Sequence, residues 1–101
     1  MFIDWQLYPN DTLIGFCCGQ LQKSICYPNK IGELTEMYVM EDRRRLGVGR
    51  QLVNLLEMEF VKRGAGSIRL LTGRKNEEAK AFYCSCGYEL EPDEIVMEKI
   101  M

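Results

Sequence analysis

The chain has 101 residues and a mass of 11.7 kDa, the size of one ordinary domain and too small for two independent hydrophobic cores. Apolar residues make up 47% and charged residues 28%, which indicates a folded globular protein and excludes a disordered or collagen-like chain. The net charge of −2 and the pI near 5.2 disfavour nucleic acid as a partner and slightly favour a cationic substrate.

The cysteines indicate neither a disulfide framework nor a metal site. There are five of them, an odd number, and the chain contains no histidine. Their close pairs are spaced C-C and C-x-C, whereas zinc sites favour C-x-x-C, so we expect no metal. The first residues do not resemble a signal peptide, and the apolar runs are too short to cross a membrane. We therefore expect a cytoplasmic protein with reduced thiols at Cys17, Cys18, Cys26, Cys84 and Cys86.

The first third of the chain predicts three strands. Two apolar segments, 2–8 and 12–21, flank a Pro-Asn-Asp turn signal at 9–11 and predict a β-hairpin over residues 2–21. After a polar loop, residues 31–40 alternate well enough between apolar and polar side chains to predict a third strand.

From residue 47 the apolar period changes to that of an amphipathic helix of about four turns. This helix is predicted to end at Lys62, Arg63 and Gly64, because cations and then a glycine suit a helix C-terminus. Residues 67–72 predict a short strand, and the strand–helix–strand order implies a parallel crossover. The predicted apolar face of the helix consists of Val48, Leu52, Leu55, Leu56 and Phe60.

A second, short helix is predicted to begin after Asn76, a capping residue followed by two acids, and to end at Gly87. Two closing strands are predicted over 88–90 and 95–100. The predicted fold class is α/β (α+β), a mixed, mostly antiparallel sheet with helices packed on it, in a single domain over residues 1–101.

The segment EDRRRLGVGR, residues 41–50, joins the third strand to the first helix. A strand that enters R-x-x-G-x-G and then a helix directs backbone N–H groups toward the positive end of the helix dipole, a geometry that binds phosphate. Glycines allow close approach of a pyrophosphate, and guanidinium groups supply countercharge. The pattern alone fits a glycine turn with solvated arginines equally well. The spacing matches neither the Walker loop nor the dinucleotide fingerprint.

Two motifs in this order resemble those of the Gcn5-related N-acetyltransferase (GNAT) superfamily. Its acetyl-CoA signature, [QR]-x-x-G-x-[GA] between a strand and a long helix, falls on Arg44, Gly47 and Gly49. The later segment NEEAKAFYCSCGYE resembles the N-x-x-A-x-x-F-Y-x-x-x-G-F/Y segment of the family, from Asn76 to Tyr88. The resemblance covers most of residues 31 to 90. It implies the acyl-CoA N-acyltransferase fold, with a hairpin 2–21, a cofactor-binding strand–loop–helix 31–64 and C-terminal strand–helix–strands 67–101.

The resemblance also implies an acetyl-CoA-dependent N-acetyltransferase acting on a primary amine of a small molecule or peptide. Backbone groups of the third strand would hold the pantetheine arm, amides at the helix start would hold the pyrophosphate, and an asparagine would bind the cofactor arm. The cofactor-binding residues so implied are Met37, Val39, Arg44, Arg45, Leu46, Gly47, Val48, Gly49, Arg50, Asn76 and Tyr83.

Proton handling is the main chemical task in this reaction, in which a neutral amine attacks a thioester and a thiolate leaves. Tyr83, which the resemblance places near the sulfur, is expected to donate a proton to the thiolate, since a tyrosine hydroxyl has a reference pKa of about 10. Alignment on Arg44 and Gly47 places Glu33 at the strand glutamate that some members, including histone and aminoglycoside acetyltransferases, use as base. Glu36 and a relaying water remain as alternatives.

The chain departs from the family in beginning at about the hairpin, where members usually begin with a strand and two helices. Either the protein is a minimal member or it is the C-terminal part of a longer or disrupted gene. An uncovered sheet edge and apolar face favour association, so we expect a homodimer. The alternative function is a catalytically incomplete acyl-CoA-binding module or a subunit of a larger acetyltransferase. The Tyr83 and Glu33 side chains favour an enzyme, and the short N-terminus favours a module.

Overall fold

In the described part of the chain, four strands form one mixed sheet, in which they lie side by side in sequence order. The computed structural model describes residues 2–7, 12–23, 25, 28–44 and 46–101. They fall into two units, Met1–Leu71 and Thr72–Met101. The elements are β1 (Phe2–Leu7), β2 (Gly15–Gln22), β3 (Lys30–Val39), α1 (Val48–Lys62), β4 (Ala65–Leu70) and α2 (Glu77–Ser85).

The sheet of the first unit confirms the predicted hairpin and the predicted parallel crossover. Strand β2 pairs antiparallel with both β1 and β3, whereas β3 pairs parallel with β4. The predicted Pro-Asn-Asp turn at 9–11 lies outside the described residues. The observed β4 begins and ends two residues earlier than the predicted strand 67–72.

Helix α1 covers one face of the sheet with a continuous apolar stripe. Its buried residues are one helical turn apart, as the sequence predicts, except that Val53 is buried where Leu55 was expected and Leu55 is only partly covered. The sheet contributes Ile3, Cys17 and Leu34 to the same core. The helix contributes Val48, Leu52, Val53, Leu56 and Phe60.

The ring of Phe60 lies directly against the sheet backbone because two glycines face it. A Cβ atom added at Gly19 would lie 2.6 Å from the Phe60 Cζ, and one added at Gly32 would lie 2.8 Å from Cγ and Cδ2 of the same ring. Phe60 itself is fully buried. A third glycine, Gly15, gives Leu52 the same access nearer the start of the helix, where an added Cβ would lie 3.1 Å from the Leu52 Cδ1.

The C-terminus of α1 is closed by a glycine and a lysine. Gly64 adopts a positive φ of 94°, a conformation that favours glycine, and its N–H donates to the Val61 carbonyl at 3.1 Å. Lys30, at the start of β3, donates from Nζ to the Arg63 carbonyl at 3.4 Å. This cation satisfies a carbonyl at the negative end of the helix dipole.

The second unit consists of residues 72–76, α2 and the residues that follow it. Asn76 caps the helix as predicted, since its Oδ1 accepts from the Ala79 N–H at 3.0 Å. The rings of Phe82, Tyr83 and Tyr88 then pack edge to face, with centroid distances of 5.1 and 6.0 Å between successive rings. No helix in the described part of the chain is long and apolar enough to cross a bilayer.

The two predicted closing strands, 88–90 and 95–100, are wrong. Residues 88–101 are all described, and none of them belongs to a strand. Residues 89–101 are exposed throughout. Alternation of side chains is only a local signal, whereas a strand also requires a neighbour that pairs with its N–H and C=O groups. No described strand pairs with this segment.

Replacement of Gly32 by alanine tests the contact between Phe60 and the sheet. The added methyl would overlap the buried ring, so Gly32→Ala is expected to lower the free energy of unfolding by about 1–3 kcal/mol in urea titrations. Gly73→Ala is the control, because the nearest atom to its added Cβ lies 3.8 Å away. The double variant Gly32→Ala/Phe60→Leu should lose less stability than the two single variants lose together. Additive losses would contradict the contact.

Candidate active site

The N-terminus of α1 has the geometry of an anion site. Gly47 is the capping residue, with φ 83° and ψ 3°, and the first bond of the helix runs from the Gln51 N–H to the Gly47 carbonyl at 3.0 Å. A glycine cap offers no side-chain acceptor, and the first turn contains no acid. The positive end of the dipole therefore carries no countercharge from the capping residue or the first turn.

The turn before α1 is held against β3 by Arg44. The Arg44 Nε donates to the Val39 carbonyl at 3.0 Å, and its Cζ lies 5.8 Å from the centroid of the Tyr38 ring. The motif arginine thus joins the end of the strand to the turn that leads into the helix. Leu46 and Arg50 are exposed beside it, whereas Val48 is buried, and Arg45 lies outside the described residues.

Strand β3 is paired along both edges in its first half only. Its parallel partners in β4 end at the pair Leu34 and Leu70, whereas its antiparallel pairing with β2 continues to Val39. Met37 and Val39 therefore lie in a stretch that, among the described strands, has a neighbour on one side only. Such an edge offers backbone N–H and C=O groups to an extended ligand.

An extra residue in β3 places both candidate bases on the same face of the sheet. Glu36 pairs with Cys18 and Leu34 pairs with Gly19, so Thr35 is additional and forms a bulge. Without it, the odd spacing between Glu33 and Glu36 would put them on opposite faces. Gln20 and Cys18, the partners of the two glutamates in β2, face away from α1, and we call this side the open face.

Glu33 has defined neighbours on the open face. Its Oε2 accepts from the Gln22 Nε2 at 3.2 Å. Gln20 of β2 and Arg69 of β4 stand beside it in the register. Glu33 is partly exposed and Arg69 is exposed, so both are accessible to solvent.

The next row of the open face is acidic on both sides of a thiol. Asp4, Cys18 and Glu36 are aligned across three strands. Burial, and then the carboxylates of Glu36 and Asp4, raise the pKa of the Cys18 thiol, so it is not an activated nucleophile. Within the described part of the chain, no group of three or more cysteines or acids is arranged to hold a metal ion.

Two expected site residues lie in the second unit. The Asn76 Oδ1 is used to cap α2, so its Nδ2 is the group that can donate to a ligand. The Tyr83 ring is partly exposed and packs between Phe82 and Tyr88. Its backbone carbonyl accepts from the Tyr88 N–H at 3.0 Å, which fixes the end of the helix.

In the first unit the structure associates Arg44 with Val39 and places Glu33 and Glu36 together on the open face. Sequence reasoning missed the partners of these residues, namely Tyr38 beneath Arg44 and Gln22 and Arg69 beside Glu33. The position of Arg69, a charged residue inside the apolar run SIRLL, was a signal in the sequence that could have indicated a functional residue. The sequence contains no signal for the bulge at Thr35, because a bulge is defined by the pairing with the neighbouring strand.

Comparison with known proteins agrees with the family resemblance of the two sequence motifs. The model of the acetyltransferase (GNAT) family matches residues 2–88. The aminoalkylphosphonate N-acetyltransferase of Salmonella typhimurium is 31% identical over 80 residues, which are 79% of this chain and 52% of that protein. This chain therefore spans about half the length of that relative.

Solved structures share the fold. An aminoglycoside acetyltransferase from an uncultured soil metagenomic sample, solved with sisomicin, has a TM-score of 0.89 at 12% identity, over 99% of this chain and 66% of that one. An aminoglycoside N-acetyltransferase solved with CoA has a TM-score of 0.86 at 16% identity, over 99% and 76% of the two chains. Both confirm the predicted fold class.

Replacement of Gly47 by alanine tests the anion site, with Gly64→Ala as a matched control. Both glycines have positive φ and no atom within 4 Å of an added Cβ, so each variant is expected to lose about 1 kcal/mol of stability from the backbone alone. Only Gly47→Ala distorts the N-terminus, and it should weaken coenzyme A binding about tenfold in calorimetry. Equal affinities for the two variants would exclude the Gly47 turn from the binding site.

Proposed function

Because the chain belongs to the acetyltransferase (GNAT) family, we propose that it transfers an acetyl group from acetyl-CoA to a primary amine of a small molecule or peptide by direct attack. The observation that carries the proposal is the glycine-capped helix start that follows the half-paired end of β3. The family model matches parts of both units, so we infer one catalytic domain over residues 1–101.

The described residues fit acetyl-CoA in three respects. The amides of the first turn, from Leu46 to Arg50, would hold the pyrophosphate, since the Gly47 cap leaves no side chain over them. The backbone of Met37 and Val39 would pair with the pantetheine arm in the manner of an added strand. The Asn76 Nδ2 would donate to the cofactor arm.

Arg44 and Arg45 would contribute differently to this site. The Nε of Arg44 is bonded to Val39, so only its terminal nitrogens are assigned to phosphate, and its main role is to hold the turn. Arg45 is retained as a phosphate-binding residue on the motif alone. The positive charge of this segment complements the pyrophosphate.

The carboxylates of the open face are proposed to receive the proton of the acceptor. Acetyl-CoA supplies an activated thioester carbonyl, which only a neutral amine can attack. Glu33, partly covered and held by Gln22, is the first candidate for the base, either directly or through a water molecule. Glu36 lies on the same face and is the alternative.

Tyr83 is proposed as the acid that gives a proton to the departing thiolate. A protonated tyrosine hydroxyl is the form present at neutral pH in an ordinary environment. Its ring is fixed by contacts with Phe82 and Tyr88, which would limit its motion during the transfer. The Tyr88 hydroxyl is not assigned a role.

The acceptor is proposed to be a small amine. The related proteins are named for aminoalkylphosphonates and aminoglycosides, which both carry amino groups. The acids of the open face and the net charge of −2 favour a cation at this surface. Nucleic acid is not proposed as a partner.

The proposal is tested by calorimetry with acetyl-CoA, followed by a thiol-release screen over primary amines. The wild type should bind the cofactor and turn over at least one amine. Tyr83→Phe should bind it with little change and lower kcat by about 10²–10⁴-fold. Tyr88→Phe is the matched control and should retain kcat. Absence of heat would exclude a cofactor-dependent enzyme, and heat without turnover would indicate the acyl-CoA-binding module.

We also propose a homodimer. The outer edges of β1 and β4 have no further partner among the described strands. The segment after α2 exposes several large apolar side chains, among them Ile95, Met97 and Ile100. Exposed apolar surface and open sheet edges each promote self-association. Sedimentation at micromolar concentration should show a dimer, and a stable monomer would refute it.

A further inference from the structure

Arg69 and Glu33 are neighbours on the open face without being an ion pair. The register pairs them directly across β3 and β4. Oppositely charged side chains at paired positions of adjacent strands commonly form ion pairs. Instead, the Glu33 Oε2 accepts from Gln22 on the other side of β3. Neither side chain takes part in the ion pairs that join Arg63 to Glu59 and Lys80 to Glu77.

The side chain of Arg69 extends from the open face into solvent. Its neighbours in β4, Ile68 and Leu70, are partly covered, whereas Arg69 is exposed. Gly32, which pairs with Ile68, faces the Phe60 ring, so the alternate residue Arg69 belongs to the opposite face.

The charges of the open face are therefore separated along the order of the strands. Asp4, Glu33 and Glu36 make the β1–β3 side acidic, and Arg69 makes the β4 side basic. Arg44, at the far end of β3, is already engaged by Val39 and Tyr38. A ligand at Glu33 consequently meets a carboxylate and a guanidinium on adjacent strands.

We propose that Arg69 determines acceptor specificity by binding an anionic group of the amine substrate. This inference rests on the proposed acetyl transfer at Glu33. The acceptor is then a zwitterion in which the amine lies toward Glu33 and a phosphonate, phosphate or carboxylate lies toward Arg69. Adjacent strands are about 4.8 Å apart, which suits a linker of two or three carbons. A guanidinium binds such oxyanions with two parallel hydrogen bonds.

The test compares three acceptors of similar length, 2-aminoethylphosphonate, 3-aminopropanoate and propylamine, by thiol release. In the wild type, one or both anionic amines should have a lower KM than propylamine, and the better of the two identifies the preferred oxyanion. Arg69→Gln should raise that KM about 10–100-fold, the loss expected for a charge-assisted hydrogen bond, with kcat and the propylamine KM nearly unchanged.

Two further variants separate specific binding from general effects of charge. Arg69→Lys keeps the charge but not the paired donors, so it should recover part of the lost affinity. Lys62→Gln removes one positive charge from the exposed surface of α1 and should leave every KM unchanged. Because Arg69 is exposed, thermal unfolding should show all the variants folded.

The outcomes distinguish this inference from the proposed function. If propylamine is as good a substrate as the anionic amines, or if Arg69→Gln affects all three equally, the inference is overturned and acetyl transfer stands. If no amine is turned over, calorimetry of 2-aminoethylphosphonate with the coenzyme A complex decides. Binding heat that is lost in Arg69→Gln would support the anion site in a protein that is not an enzyme. Absence of binding heat would overturn the inference.

Discussion

The contact between Phe60 and the backbone of two strands determines where the rest of the first unit lies. A ring that rests on Gly19 and Gly32 has no Cβ atoms beneath it, so α1 approaches the sheet closely at its C-terminal end. Gly15 allows the same approach by Leu52 and Val48 near the N-terminal end. Because the helix packs closely on the sheet at both ends, its direction is determined, and its first turn lies beyond the end of β3.

The close packing of α1 on the sheet also determines the position of its first turn. At a rise of 1.5 Å per residue, the helix start lies about 20 Å from Phe60. A small tilt at one end would displace the Gly47 amides by several times the tolerance of a hydrogen bond. The Arg44 hydrogen bond to Val39 adds a further link between the end of β3 and the residues before the helix. Structural packing and the proposed pyrophosphate site are thus consequences of the same contacts.

The local elements of this chain could be predicted from its sequence, and the contacts between them could not. Helices α1 and α2 and the hairpin follow from period, caps and turn residues, which act over a few positions. Gly19 and Gly32 appear in the sequence only as weak strand residues, because their function depends on Phe60 many residues away. Strand pairing is equally non-local, which explains both the unforeseen Thr35 bulge and the closing strands that did not form.

In the candidate site, too, the local motif could be predicted from the sequence and the neighbouring residues could not. The motif at 44–49 predicted the turn that we propose as the pyrophosphate site, because the chemistry of such a turn resides in consecutive residues. It could not show that Arg44 bonds to Val39, nor that Gln22 and Arg69 stand beside Glu33, since those neighbours come from other strands. The roles of Asn76 and Tyr83 depend on a separate unit and were assigned from their motif alone.

The environment of Cys18 makes it less reactive toward the product of the proposed reaction. Acetyl transfer releases coenzyme A, and its oxidised form exchanges with protein thiols through attack by a thiolate. Burial and the carboxylates of Glu36 and Asp4 keep Cys18 in the thiol form. The Cys18 sulfur is therefore less prone to form a mixed disulfide, which would obstruct the proposed acceptor groups on the open face.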